Sequence, residues 1–150
     1  MRINEGLTMK QDPLQTIEHE IALLVRLTTA YKPRLGVLDR SEYLLLSELD
    51  NDSPLAMNIL AEKLQLSLST ASRQVATLEA KHFIQRFPDP HNGRISLLEI
   101  TQEGKEVLQR VQRARYEVYE KVLQDWTHDE LKTLEANLTR LNRDFKRWNK

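Results

Sequence analysis

N-I-L-A-E-K-L-Q-L-S-L-S-T-A-S-R-Q-V-A-T-L-E-A-K-H-F-I-Q-R-F-P-D-P-H-N-G-R-I-S-L-L-E-I, running from Asn58 to Ile100, is the stretch that decides the fold. Residues 58–64 suit a short helix, Gln65-Leu66 a tight turn, and Ser67 the N-cap of a second helix reaching about Lys81. Ala61 is small enough to let the two helices cross closely, and Leu66 can plug the turn. In the second helix Ala71, Val75 and Leu78 share one face, while Ser69, Thr70, Arg73 and Thr77 occupy the opposite arc, with Gln74 at its flank. Short hydroxyls with one Arg and one Gln are what a helix in a DNA major groove needs. Arg reads guanine edges with two hydrogen bonds, Gln reads adenine, and hydroxyls take phosphates or either base. Residues 83–87 then read as a strand, 88–93 as a loop carrying Asn92-Gly93, a strong hairpin signal, and 95–100 as the returning strand. Along that strand Ile95 and Leu97 fall on one face and Leu98 and Ile100 on the other. Helix, turn, helix and hairpin in this order spell a winged helix-turn-helix.

Outward from this lobe the chain is helical. Asp12-Pro13 marks a helix start, because Asp can cap and Pro at the first position forfeits only an unpaired N–H. Leu14, Ile17, Ile21, Leu24, Thr28 and Tyr31 then recur three and four apart until Pro33 and Gly36 stop the helix. Asp39 and Glu42 form a capping-box-like pair before Tyr43, Leu44, Leu45, Leu46 and Leu49, and this leucine-dense helix should be the most buried. After the hairpin, Thr101 caps a long helix to about Asp125, with Leu108, Val111, Val118 and Val122 at helical spacing. Thr127 and Glu130 form a second capping box, and Leu131, Leu134, Leu138, Leu141, Phe145 and Trp148 run the length of the last helix. The expected order is α-α-α-α-β-β-α-α. The fold class is mainly α with a small β-hairpin wing: residues 38–100 form the winged helix-turn-helix lobe, and residues 1–37 and 101–150 a helical dimerisation layer from both termini.

Two amphipathic helices at opposite ends of the chain pack most economically together and across a two-fold axis. Leu14, Ile17, Ile21, Leu134, Leu138, Leu141, Phe145 and Trp148 are the candidate dimer-interface residues, with Phe145 and Trp148 as large anchors.

Composition sets the outer bounds. The chain has 150 residues, 40% hydrophobic and 29% charged, an ordinary globular balance whose folding should bury roughly 70% of the unfolded surface. Lys+Arg number 22 and Asp+Glu 22, but the charge is uneven: −3 over residues 1–52, +1 over 53–100 and +2 over 101–150. No polybasic tail announces a nucleic-acid partner, so the case rests on where single charges sit. There is no cysteine, which excludes disulfides, thiolate metal sites and a direct thiol switch. No apolar run approaches the roughly 18–20 residues that span a bilayer, and residues 1–10 lack the pattern of a signal peptide. A cytoplasmic protein without membrane partners is the expectation.

The segments A-E-K-L-Q-L-S-L-S-T-A-S-R-Q-V-A-T-L-E-A-K-H-F-I-Q-R at 61–86, D-P-H-N-G-R at 89–94 and L-E-I-T-Q-E-G-K at 98–105 resemble the MarR family of winged-helix transcriptional regulators. The resemblance covers the whole chain, flanking helices included. It implies a homodimer on a palindromic double-stranded operator, with the recognition helix in the major groove and the wing in the minor groove. It also implies base and phosphate contacts at Ser69, Thr70, Arg73 and Gln74, and a wing Asp–Arg pair at Asp89 and Arg94. With the cap Ser67, Thr77 and the strand residue Arg86, these make up the expected DNA-binding set. Members often carry Gly where Gln65 stands, so a left-handed backbone there would be slightly strained. They also often carry a further cation where His91 and Asn92 stand.

In such regulators a ligand lodges where the dimer helices meet the DNA-binding lobe. Tyr31, Tyr43, Tyr116 and Tyr119 are the aromatic candidates for that pocket and Arg115 the anion partner, which suits a small lipophilic or aromatic anionic effector and a repressor that it releases. Two alternatives stay in view. A zinc-responsive regulator of the same fold could use Glu18, His19 and Glu20, but the histidines it needs between Leu108 and Val122 are missing, so neither metal nor cofactor is expected. A winged-helix protein-interaction module would not need Arg73 or Arg94. His128-Asp129-Glu130 suits the first turn of a helix, where acids complement the macrodipole, and with no nucleophile–base set or phosphate-binding glycine loop the chain is not expected to be an enzyme.

Overall fold

The structure, a computed structural model, describes residues 12–30 and 38–149. The chain divides into two units, Met1–Gly36 and Val37–Lys150. In the first, helix α1 spans Pro13–Thr29, and Asp12 caps it by accepting the Leu14 N–H at 2.8 Å. Tyr31 and the expected stop at Pro33 and Gly36 lie outside the described residues.

In the second unit the order is α2 (Arg40–Asn51), β1 (Leu55–Ala56), α3 (Met57–Leu64), α4 (Leu68–Ala80), β2 (Ile84–Asp89), β3 (Asn92–Ile100), α5 (Gln102–Val122) and α6 (His128–Trp148). The expected capping boxes at Asp39/Glu42 and Thr127/Glu130 both form, and Ser67 and Thr101 cap α4 and α5 by accepting the N–H groups of Thr70 and Gly104. Leu45, Leu46 and Leu49 of α2 are fully buried at the centre of a core shared with Leu60, Val75, Leu78, Leu98, Val107, Leu108 and Val111. Burial of this apolar surface, at about 25 cal/mol per Å2, is the main favourable term holding the lobe together.

The sheet is antiparallel with strand order β1-β3-β2. Strand β1, absent from the expected order of elements, pairs Leu55 with Leu98 and Ala56 with Leu97. Ile84 pairs with Ile100 at the base of the hairpin, and the pairing shifts between Pro88 and Asp89 near its tip. Leu98 and Ile100 are buried whereas Ile95 is 39% exposed, as the alternation requires. The tip itself differs from expectation: the turn is made by Pro90 and His91, and Asn92-Gly93 begins β3. The Asp89 carboxylate accepts the His91 N–H at 2.8 Å, and Pro90 fixes φ for the first turn residue, so an Asp-Pro turn outcompetes the Asn-Gly signal.

Two helices end on non-glycine residues in left-handed backbone. Gln65 (φ 54°) follows α3 and His82 (φ 66°) follows α4. In each case paired N–H groups close the last turn: Leu66 on the Ala61 carbonyl with Gln65 on that of Glu62, and Phe83 on Leu78 with His82 on Glu79. Gln65 therefore adopts the backbone that its place in the turn predicts. The first of these closures sets the sharp bend from which α4 departs.

Candidate nucleic-acid interface

Helix α4 is held from behind and free in front. Ala71, Val75 and Leu78 are fully buried. At the far end, the Lys81 ammonium donates to the Glu42 carboxylate at 2.8 Å, tying the C-cap of α4 to the N-terminal turn of α2. On the outer arc Ser69, Arg73 and Thr77 are exposed and Thr70 is half-buried. The guanidinium of Arg73 makes no ion pair among the described residues, so it is available to an external anion or base edge.

The hydroxyls gather at the N-terminus of α4. Ser67 Oγ accepts the Thr70 N–H at 3.1 Å, donates to Thr70 Oγ1 at 2.8 Å and lies 3.2 Å from Ser69 Oγ. A helix start with unpaired N–H groups and clustered hydroxyls favours an anion, a phosphate above all. Thr77 spends its hydroxyl on the Arg73 carbonyl at 3.2 Å. Gln74 is half-buried, and its Oε1 is enclosed without a hydrogen-bond partner. Helical spacing alone put Gln74 at the flank of the exposed arc. Only packing shows how much of it the lobe covers.

The wing is sorted differently from the sequence expectation. Arg86 donates from Nε (3.2 Å) and from a terminal nitrogen (3.0 Å) to the two oxygens of Glu79, clamping β2 to α4. Asp89 serves the hairpin turn, and among the described residues no ion pair joins it to Arg94. The shortness of the turn explains this: the carboxylate is already committed to the backbone two residues on. Arg94 is exposed with an unpaired guanidinium, and its N–H donates to Asn92 Oδ1 at 3.2 Å, which fixes the backbone behind it.

Of the candidate pocket residues the structure brings Tyr43 and Arg115 together. The guanidinium carbon of Arg115 sits 4.2 Å from the Tyr43 ring centroid, a cation–π contact between α2 and α5. Arg115 Nε is buried without a hydrogen-bond partner, as is Ser47 Oγ on α2. Tyr116 and Tyr119 point elsewhere, 66% and 50% exposed. The terminal helices leave their apolar stripes uncovered: Leu14 and Ile17 in α1, and Leu138, Phe145 and Trp148 in α6, are exposed, and Ile21, Leu134 and Leu141 are half-buried. Among the described residues no cluster of His, Asp or Glu is placed to hold a metal ion, and no helix is long and apolar enough to cross a membrane.

Fold and site together define a winged helix-turn-helix protein. The family model described as MarR family matches residues 38–96. The chain is 42% identical over 138 residues to an uncharacterized HTH-type transcriptional regulator, YxaD, of Bacillus subtilis (strain 168), covering 90% of this chain and 96% of that protein. The crystal structure of the transcriptional regulator SlyA is similar at a TM-score of 0.74 and 25% identity, covering 89% of this chain and 96% of that one. That of Streptococcus pneumoniae FabT in complex with DNA is similar in fold, with a TM-score of 0.73 at 16% identity over 91% of this chain and 99% of that one. The chain belongs to the MarR family of transcriptional regulators, and is a regulator rather than an enzyme.

Proposed function

We propose that this MarR-family regulator binds a palindromic operator in double-stranded DNA as a homodimer, in the cytoplasm, and acts as a repressor that a small ligand releases. The observation that carries the DNA reading is the outer arc of α4, where an unpaired Arg73 stands among hydroxyls on a helix locked from behind by Ala71, Val75 and Leu78. The likeness in fold to FabT, crystallised with DNA, supports the same reading. DNA selection with the purified protein tests it, followed by binding to the selected site. Affinity should fall by about 10³–10⁵ between 50 and 200 mM salt if on the order of 6–10 phosphates are neutralised. Arg73→Ala should cost roughly 1–3 kcal/mol per half-site and relax preference at one base pair. A constant that ignores salt would refute DNA as the partner.

Two finer readings rest on their own observations. Exposed Leu138, Phe145 and Trp148 on α6, and exposed Leu14 and Ile17 on α1, support the assignment of residues 1–37 and 101–150 to dimerisation and of 38–100 to DNA binding. Leu138→Glu with Phe145→Glu should sediment as a monomer. The unpartnered Nε of Arg115 over Tyr43 supports an aromatic anion as effector, whose differential affinity for the two spacings of the recognition helices would be worth about 1–3 kcal/mol. Titration of aromatic carboxylates against the operator complex tests this, with Arg115→Met expected to abolish release.

A further inference from the structure

The last turns of α6 carry two opposed faces. Leu134, Leu138, Leu141, Phe145 and Trp148 follow one side, and at 100° per residue Arg143, Lys146 and Arg147 fall on the other. The cationic side does not face empty solvent. Gln65 Nε2 donates to the Lys146 carbonyl at 2.8 Å, which pins the end of α6 to the turn between α3 and α4. Between them lies a cleft of about 480 Å3 whose charged walls are Lys63, Arg143, Lys146 and Arg147 against the single acid Glu62. Lys63 is shared with Glu48 and Asp52 at 3.6 and 3.5 Å. Arg143, Lys146 and Arg147 make no ion pair among the described residues.

Position gives this charge a use. Gln65 lies two residues before Ser67, at most about 7 Å of chain from the hydroxyl cluster at the α4 N-terminus. The backbone that a helix-turn-helix straddles runs past this turn, because the first helix crosses the phosphates while the second enters the groove. We propose that Arg143, Lys146 and Arg147 form a second phosphate-binding surface, continuous with the α4 N-terminus, through which the C-terminal helix grips the DNA backbone beside each half-site. The proposal rests on the DNA-binding reading above and extends it. A helix assigned to dimerisation then has two duties on opposite faces, with the apolar stripe free for a second copy. The grip also resolves a shortage: residues 67–95 contribute only Arg73, Lys81, Arg86 and Arg94, of which Lys81 and Arg86 are spent on Glu42 and Glu79.

Phosphate contacts carry no sequence information, and this separates them from readout by Arg73. The test uses the full chain with Arg143→Gln, Lys146→Gln and Arg147→Gln combined, the selected operator, and a random duplex of equal length. The triple variant should lose affinity for both duplexes by the same factor. Its slope of log affinity against log salt should flatten by up to about 5 if all six cations of a dimer meet phosphates. Gln65→Gly removes the tether while relieving the left-handed backbone, so it should fold at least as well as wild type and show a smaller loss of the same kind. An unchanged salt slope in the triple variant would overturn the proposal, as would a loss accompanied by dissociation to monomer in sedimentation. If wild type itself does not prefer operator over random duplex and Arg73→Ala changes nothing, the DNA reading fails, and the backbone grip with it.

Discussion

Glu42 is the only charged side chain buried among residues 38–149, 6% exposed, and it performs two tasks at once. Its Oε1 accepts the Asp39 N–H at 3.1 Å, completing the capping box of α2, and its Oε2 accepts from the Lys81 ammonium at 2.8 Å. Loss of a cap costs about 1 kcal/mol. The ion pair falls between an exposed bridge and a buried charge-assisted bond, because the Lys81 side chain keeps 41% exposure and regains water when released. That places its worth at about 1–1.5 kcal/mol. Glu42→Ala should therefore destabilise by about 2–2.5 kcal/mol. Glu42→Gln retains an acceptor for Asp39 but turns an amide toward the ammonium, and should lose about 1–1.5 kcal/mol. Urea unfolding at fixed protein concentration reads both, since a dimer's apparent stability depends on concentration. A double-mutant cycle of Glu42→Gln with Lys81→Met isolates the pair, and a coupling below about 0.3 kcal/mol would refute this account of how α4 is anchored.

Gly104→Ala should destabilise by about 1–3 kcal/mol, because the added Cβ would collide with the Phe83 carbonyl oxygen and lie 2.8 Å from Ile100 Cγ1, prising α5 from the base of the hairpin; thermal melting checks it. His82→Gly should stabilise by about 0.5–1 kcal/mol, since glycine takes the left-handed backbone after α4 without a Cβ penalty, and a melting temperature below wild type would contradict this. Arg94→Ala should leave melting nearly unchanged, the side chain having no partner to lose, yet weaken operator binding most where A·T-rich sequence narrows the minor groove, as anisotropy at about 150 mM salt would show. Asp89→Ala should act on the hairpin turn rather than on the arginine, raising amide exchange at His91 more than it alters affinity.

What the sequence determined by itself was the helix caps and the buried helix faces, although at the hairpin tip two local turn signals competed and Asp89-Pro90 prevailed over Asn92-Gly93. Caps at Asp12, Asp39, Ser67, Thr101 and Thr127 needed only a side-chain oxygen one turn from unpaired N–H groups. The buried face of α4 followed from helical periodicity, and with it the outer arc that carries Arg73. Long-range partners were a different matter. Strand β1 is two residues long, too short to show alternation, and exists because β3 offers it an edge. The cleft between α6 and the α3–α4 turn joins residues 81 positions apart, a closeness that no periodicity encodes. The sequence left Arg86 without a partner and paired Asp89 with Arg94, and only the folded lobe assigned Arg86 to Glu79, Asp89 to a backbone N–H and Arg94 to solvent. Local hydrogen bonding is set by neighbours in sequence, whereas the fate of a charge depends on which surface the chain has folded against it.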